Sequence, residues 1–280
     1  MTGPVGIVAG RGALPVALAR ALAGRGRDVV LAEMAGFPVD NPDDLPVIPF
    51  RVEKLGALFK TLRAAGVREV AFAGAVARPR LDPAQFDFRT LTLAPRILAS
   101  LKGGDDATLR MVLDIFEGEG FAVRAAHDIA PDLLPSAGVL TRAQPGSRDR
   151  KDASRAAAIV AALSAVDVGQ GAVVAGGLAL GVEALPGTDR MLAQVAALPA
   201  DLRPDPASAR GVLFKGPKIG QDRRIDLPVI GPDTVAGAAA AGLSGIAIAA
   251  GGVMVLDRPA VIAAADAAGL FLWVRKEGEP

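Results

Sequence analysis

Residues 5–15 read Val5-Gly6-Ile7-Val8-Ala9-Gly10-Arg11-Gly12-Ala13-Leu14-Pro15. Val5–Ala9 is a short apolar run, the pattern of a buried strand. Leu14–Ala23 carries apolar residues at helical spacing and is followed by Gly24 and Gly26. Strand, glycine turn, helix is the start of a βα unit. Glycines let the backbone approach a ligand, and a helix N-terminus favours an anion. Three readings stay open for this loop. It is a tight βα turn with no ligand, it contacts a nucleotide or phosphate through Gly10, Gly12 and Leu14, or it binds NAD(P). Glu33 follows Gly10 by 23 residues, where a dinucleotide-binding chain places its ribose acid. Pro15 takes the place of the third fingerprint glycine; it suits a first helical turn but forgoes close helix–strand packing.

The alternation continues outward. Strands are expected at Asp28–Ala32, Val70–Ala73 and Phe121–Ala125, with helices at Glu53–Ala65 and Asp105–Phe116. Repeated βα units imply a parallel sheet with helices on both faces. Pro131–Lys151 is rich in Pro, Gly, Ser and charge and marks a boundary. Beyond it, helices are expected at Asp152–Leu163, Asp189–Leu198 (capped by Thr188), Asp233–Ala241 and Pro259–Ala268. Strands are expected at Ala172–Ala175, Leu178–Glu183, Val212–Lys215, Ile246–Ala249, Val253–Leu256 and Phe271–Val274. The expectation is an α/β protein of two domains: a Rossmann-like parallel-sheet domain at 1–135 and an irregular α/β domain at 136–280. The 280 residues suit this against about 150 per domain.

The scarce residue types restrict the chemistry. The chain has no Cys, no Tyr and one His. That excludes a disulfide framework, a thiol nucleophile, Cys-ligated zinc and any multi-histidine metal site. The one histidine, His127, reads as a loop residue. Asp, Glu, Lys, Arg, hydroxyls and backbone amides remain, and a hard cation such as Mg2+ on carboxylates is the natural electrophile. Lys plus Arg number 31 and Asp plus Glu 30, a balance that argues against nucleic-acid binding. Mean hydropathy is +0.37, far from disorder. Thr234–Leu256 lacks any charge and is long enough to span a bilayer. It is Ala-rich and broken by five glycines, so it reads as helix, turn and strand in a core. No basic leader precedes the first strand. The expectation is a cytoplasmic protein with at most peripheral contact with the inner membrane, since no strongly anchoring basic amphipathic helix is visible.

Polar clusters interrupt the apolar second half. They are Asp167-Val168-Gly169-Gln170, Glu183 with Gly187-Thr188-Asp189, Lys215 with Lys218, and Gln221-Asp222-Arg223-Arg224-Ile225-Asp226. Each lies at a strand end or in a loop, where α/β proteins build sites. Acids suit Mg2+, and Lys and Arg suit phosphate oxygens. Together they read either as machinery for metal-assisted phosphoanhydride cleavage or as salt-bridged surface loops. In the first half, Gly103-Gly104-Asp105-Asp106 reads as a helix cap, or as carboxylates reaching a cleft.

These motifs resemble the LpxI-type UDP-2,3-diacylglucosamine pyrophosphohydrolases of lipid A biosynthesis in Gram-negative bacteria. The carriers are Val8-Ala9-Gly10-Arg11-Gly12-Ala13-Leu14-Pro15, Gly103-Gly104-Asp105-Asp106-Ala107 with Leu109-Arg110, Asp167-Val168-Gly169-Gln170, Glu183-Ala184 with Gly187-Thr188-Asp189, and Gly220 through Pro228. The likeness spans nearly the whole chain. Pro186 is a departure, standing where an acid is expected before Gly-Thr-Asp.

The resemblance implies Mg2+-dependent hydrolysis of the substrate's pyrophosphate to UMP and 2,3-diacylglucosamine 1-phosphate (lipid X). It implies a lipid-linked UDP-sugar held between two domains, and a homodimer. It makes an aspartate of the Gln-Asp-Arg-Arg-x-Asp motif the essential acid, carried onto Asp226 with Asp222 as second choice. Asp226, Glu183 and Asp189 are then the expected metal ligands. Lys215, Lys218, Arg223 and Arg224 are expected on phosphate oxygens, and Gln170, Gln221 and Thr188 on water or sugar. Asp105 and the Gly10–Pro15 loop are expected contacts from the first half. The competing classes are an NAD(P)-dependent oxidoreductase using the glycine loop, and a nucleotide-sugar or lipid-binding protein without turnover.

Overall fold

A computed structural model describes residues 3–77, 81–100, 105–205, 207 and 209–279. Gly103 and Gly104 lie outside the described residues, and so does the Asp105 side chain. The chain divides into two compact units. One comprises Met1–Pro131 with Asp222–Asp226, the other Asp132–Gln221 with Leu227–Pro280.

The first unit runs β1 (Val5–Ala9), α1 (Leu14–Ala23), β2 (Val29–Met34), β3 (Val47–Phe50), α2 (Leu55–Ala64), β4 (Glu69–Ala73), α3 (Phe88–Ser100), α4 (Asp105–Gly118), β5 (Ala122–Val123) and α5 (Ala126–Ile129). Its sheet has the order β3-β2-β1-β4-β5 and is parallel throughout. That is the strand order of a Rossmann half, with its switch point between β1 and β4. Parallel strands are covered on both faces, so β1, β2 and β4 are buried along nearly their whole length, without alternation. Phe116 of α4 anchors one face, meeting Phe59 edge-on at 5.2 Å and Phe72 at 5.1 Å.

Three elements here fall outside the sequence expectations. Short helix α5 holds His127, which was expected in a loop. Strand β3 is a half-exposed edge carrying Pro49, and proline belongs on edge strands. Helix α3 holds Pro95 in its interior, which obscures the helical pattern. Its buried side is Thr90, Leu93, Ala94 and Ile97, while Phe88, Leu91 and Leu98 are exposed.

The second unit runs β6 (Gly138–Val139), α6 (Ser147–Ser164), β7 (Gly171–Ala175), β8 (Leu178–Val182), α7 (Gly187–Ala196), β9 (Val212–Lys215), β10 (Val229–Ile230), α8 (Pro232–Ala240), β11 (Gly245–Ala249), β12 (Met254–Val255), α9 (Arg258–Ala267) and β13 (Phe271–Arg275). A mixed six-stranded sheet has the order β6-β13-β11-β9-β7-β8, and β10 pairs with β12 apart from it. Strands β9, β11 and β13 are parallel, while β6, β7 and β8 run antiparallel to their neighbours. Alternate side chains feed two cores. Val212, Phe214, Phe271 and Trp273 pack with Ala153, Ala156 and Val160 of α6. Leu213, Leu272 and Val274 pack with residues of α7, α8 and α9.

Helix α6 begins at Ser147, not at the expected Asp152. The Asp149 carboxylate accepts the Gly146 N–H at 2.8 Å and starts the helix in the polar stretch. Asp152 is buried instead, and its two oxygens accept the N–H groups of Gly176 and Gly177 at 2.9 and 2.8 Å. It clamps the β7–β8 turn. Thr188 is likewise no cap: it is buried inside α7, whose N-cap is Pro186.

Candidate functional site

In the second unit, three of the four predicted polar clusters converge through Glu183 and Lys215. Lys215 ends β9, and Glu183 follows β8, the edge strand beside β7. Strand β7 lies between them, with Gly171 opposite Lys215 in register. The Glu183 backbone N–H donates to the Gly171 carbonyl at 2.8 Å. The Thr188 hydroxyl donates to Glu183 Oε2 at 2.9 Å, and Lys215 Nζ stands 4.0 Å from that same oxygen. Both charged side chains are nearly buried, 13% exposed for Glu183 and 9% for Lys215. Lys215 Nζ also donates to the Val229 carbonyl of β10 at 3.2 Å.

Gly169 is fitted to the Glu183 backbone and Gly171 to its carboxylate. A Cβ at Gly169 would lie 1.9 Å from the Glu183 carbonyl oxygen, and one at Gly171 would lie 2.5 Å from Glu183 Oε2. Between them, the Gln170 carbonyl accepts the Gly216 N–H at 3.0 Å, next to Lys215. The neighbouring turn is tied as well. Asp167, in the left-handed region at φ 56°, pairs with Lys218, and the Ser164 hydroxyl accepts the Ile219 N–H. Gln221 Oε1 accepts the Lys218 N–H at 3.0 Å. Sequence reasoning missed Ser164, Gly171 and the Val229 carbonyl. Of these only Gly171 carried a signal, as the second glycine of Gly-Gln-Gly.

Exposed apolar side chains flank these polar groups in sequence. Leu185, two residues after Glu183, is 94% exposed, and Ile219, beside Lys218, is 75% exposed. Val166 and Val168, on either side of Asp167, are exposed too.

The fourth cluster is built differently. In the first unit, the Arg224 guanidinium grips Asp222 through Nε–Oδ1 at 3.0 Å and Nη2–Oδ2 at 2.7 Å, and its Nη1 reaches Glu117 Oε1 of α4 at 2.6 Å. Arg224 bonding, with help from Arg110, holds the Asp222 carboxyl below the usual range. Asp226 is half-buried, its N–H donating to the Asp222 carbonyl at 3.3 Å, immediately before buried Leu227 and Pro228. Arg223 and Asp189 are exposed. Among the described residues no group of three or more His, Asp or Glu side chains is gathered to hold a metal.

The N-terminal loop is stitched across the switch point. The Gly10 N–H donates to the Ala73 carbonyl at 2.7 Å, and Arg11 and Ala75 exchange N–H···O bonds at 3.0 and 2.9 Å. A Cβ on Gly10 would meet the Ala75 oxygen at 2.6 Å. Leu14 is buried, while Gly12 is exposed at φ +100°. Glu33 Oε2 accepts the Val39 N–H at 3.0 Å and so orders the loop that follows β2.

The model of the LpxI N-terminal domain matches residues 4–133, and that of the LpxI C-terminal domain matches residues 136–273. The chain belongs to the LpxI family. A relative from Caulobacter vibrioides, named UDP-2,3-diacylglucosamine pyrophosphatase LpxI, is 42% identical over 268 residues, covering 96% of each chain. The two matches together run from β1 into β13 and take in all four polar clusters. No helix among the described residues of this LpxI chain is long and apolar enough to cross a membrane.

Proposed function

We propose that the chain hydrolyses the pyrophosphate of UDP-2,3-diacylglucosamine to UMP and 2,3-diacylglucosamine 1-phosphate, a step of lipid A biosynthesis. One observation carries this reading beyond the family. Lys215 pairs with Glu183 and Lys218 with Asp167, and exposed Leu185, Ile219 and Val166 stand within two residues of Glu183, Lys218 and Asp167 in the chain. Cations on loops that also carry exposed apolar side chains suit an acylated diphosphate, whose two ends need opposite surroundings.

In this reading Asp226 orients the attacking water and accepts its proton. Oxygen adds to one phosphorus, the P–O–P bond breaks, and the departing phosphate takes the electron pair. Lys215, Lys218 and Arg223 neutralise phosphate oxygens, and Gln170 and Gln221 orient water or sugar. Asp222 and Arg224 hold the shape of the Asp226 loop. Mg2+ is part of the proposal. It usually takes one or two carboxylates and fills its shell with water and substrate phosphate oxygens, a donor set that Asp226 fits without a three-carboxylate cage. When bound it polarises phosphoryl oxygens and offsets developing charge. Homodimerisation, a cytoplasmic location and at most peripheral membrane contact complete the proposal.

The test is UMP release from UDP-2,3-diacylglucosamine in detergent micelles, with Mg2+ or with EDTA, for wild type and Asp226→Ala. Mg2+-dependent release that vanishes in a folded Asp226→Ala variant is the expected result. Binding without release by the wild type would identify a lipid or nucleotide-sugar binder instead.

A further inference from the structure

Glu183 was expected to ligate metal, yet its surroundings fit another task. Its Oε2 receives the Thr188 hydroxyl at 2.9 Å and lies 4.0 Å from the Lys215 ammonium. Gly171 leaves room for that oxygen where any Cβ would stand 2.5 Å away. A lysine side chain is a flexible stem bearing a strongly hydrated point charge. Burying it is costly unless a carboxylate and hydrogen bonds surround it. Here Glu183 stands on one side and the Val229 carbonyl, at 3.2 Å, on another. A cation fixed before substrate arrives needs no reorganisation when charge develops on a leaving phosphate.

We propose that Glu183 is a positioning residue: with Thr188 it fixes the Lys215 ammonium for the diphosphate, and it acts on the reaction through that ammonium. This rests on the hydrolase reading above. The Thr188 hydroxyl selects the carboxylate rotamer, Glu183 selects the lysine rotamer, and Lys215 alone of the three meets phosphate.

The experiment is a double-mutant cycle on UMP release, with kcat and KM measured for wild type, Lys215→Met, Glu183→Gln and the double variant, and thermal melting as the fold control. Lys215→Met is expected to lower kcat about 100-fold, and Glu183→Gln about 10-fold, with KM little changed. In the Lys215→Met background, Glu183→Gln should add less than about 2-fold, because its route to the reaction is already cut. Thr188→Ser should retain activity, and Thr188→Val should lose it partway toward Glu183→Gln. If Lys215→Met does not fold, Lys215→Gln, which keeps a donor for the Val229 carbonyl, replaces it in the cycle. Losses that multiply in the double variant overturn the proposal. So does a 10-fold rise in the Mg2+ needed for half activity in Glu183→Gln but not in Lys215→Met. A wild type that releases no UMP overturns the hydrolase reading and this proposal together.

Discussion

Asp222 and Arg224, two residues apart in the chain, face each other as a fork on a carboxylate, with contacts of 3.0 and 2.7 Å. Asp222 Oδ1 also accepts the Arg224 backbone N–H at 3.0 Å, so this carboxylate is spent on shaping its own loop. That separates the two aspartates of the motif. Asp222→Asn should keep hydrolysis within about 10-fold of wild type, whereas Asp226→Asn should lose on the order of 1,000-fold, the range of a general base. Steady-state UMP release on both variants decides the assignment.

The same fork gives a pH dependence. The Asp222 carboxyl is held below its ordinary range, so the folded state binds its proton more weakly than the unfolded chain. The pair's stabilisation is fully present above an unfolded value of about 3.9 and is lost as pH falls through the lower folded value. The side chains are 24% and 41% exposed, so solvent screening keeps the effect within about 1 kcal/mol. Urea denaturation of wild type and Asp222→Asn should differ by this amount at pH 6 and converge toward pH 3.

Gly171→Ala should damage turnover without removing any reactive group, because the new methyl would lie 2.5 Å from Glu183 Oε2. A loss of about 10-fold or more in kcat is expected, in the range of other supporting-residue changes. Gly118→Ala, in α4 where an added Cβ meets nothing within 4 Å, is the control. It should leave kcat unchanged and stabilise the fold by up to about 1 kcal/mol.

Asp152→Ala should destabilise the second unit by about 1–3 kcal/mol, since it strands the Gly176 and Gly177 N–H groups. Chemical denaturation followed by Trp273, which is buried in that unit, reports it.

NADH should not bind. The Arg11–Ala75 exchange spans the place where a pyrophosphate would lie at the switch point, and Glu33 is engaged with Val39. NADH fluorescence should neither rise nor shift on adding protein at millimolar cofactor; a saturable rise would revive the oxidoreductase reading.

The parallel core was legible because strands buried on both faces are unbroken apolar runs, as in Val5–Ala9 and Gly245–Ala249. Edge strand β3 was not, for its exposure alternates and Pro49 interrupts it. Helix α3 escaped because Pro95 and the exposed Phe88, Leu91 and Leu98 blur its periodicity. The site was legible as residue types at strand ends. Its wiring was not: that Thr188 serves Glu183 rather than a helix end depends on a rotamer, and no spacing encodes a rotamer.

The five residues Asp222–Asp226 are counted with the first unit, although some ninety residues of the second precede them in the chain and more than fifty follow. A gene cut after Pro131 would therefore yield a leading fragment without its Arg224 partner for Glu117, and a trailing fragment with its proposed acid orphaned. Two halves that read as separable modules are therefore bound together by their own connectivity, and shuffling either onto another protein would forfeit this loop.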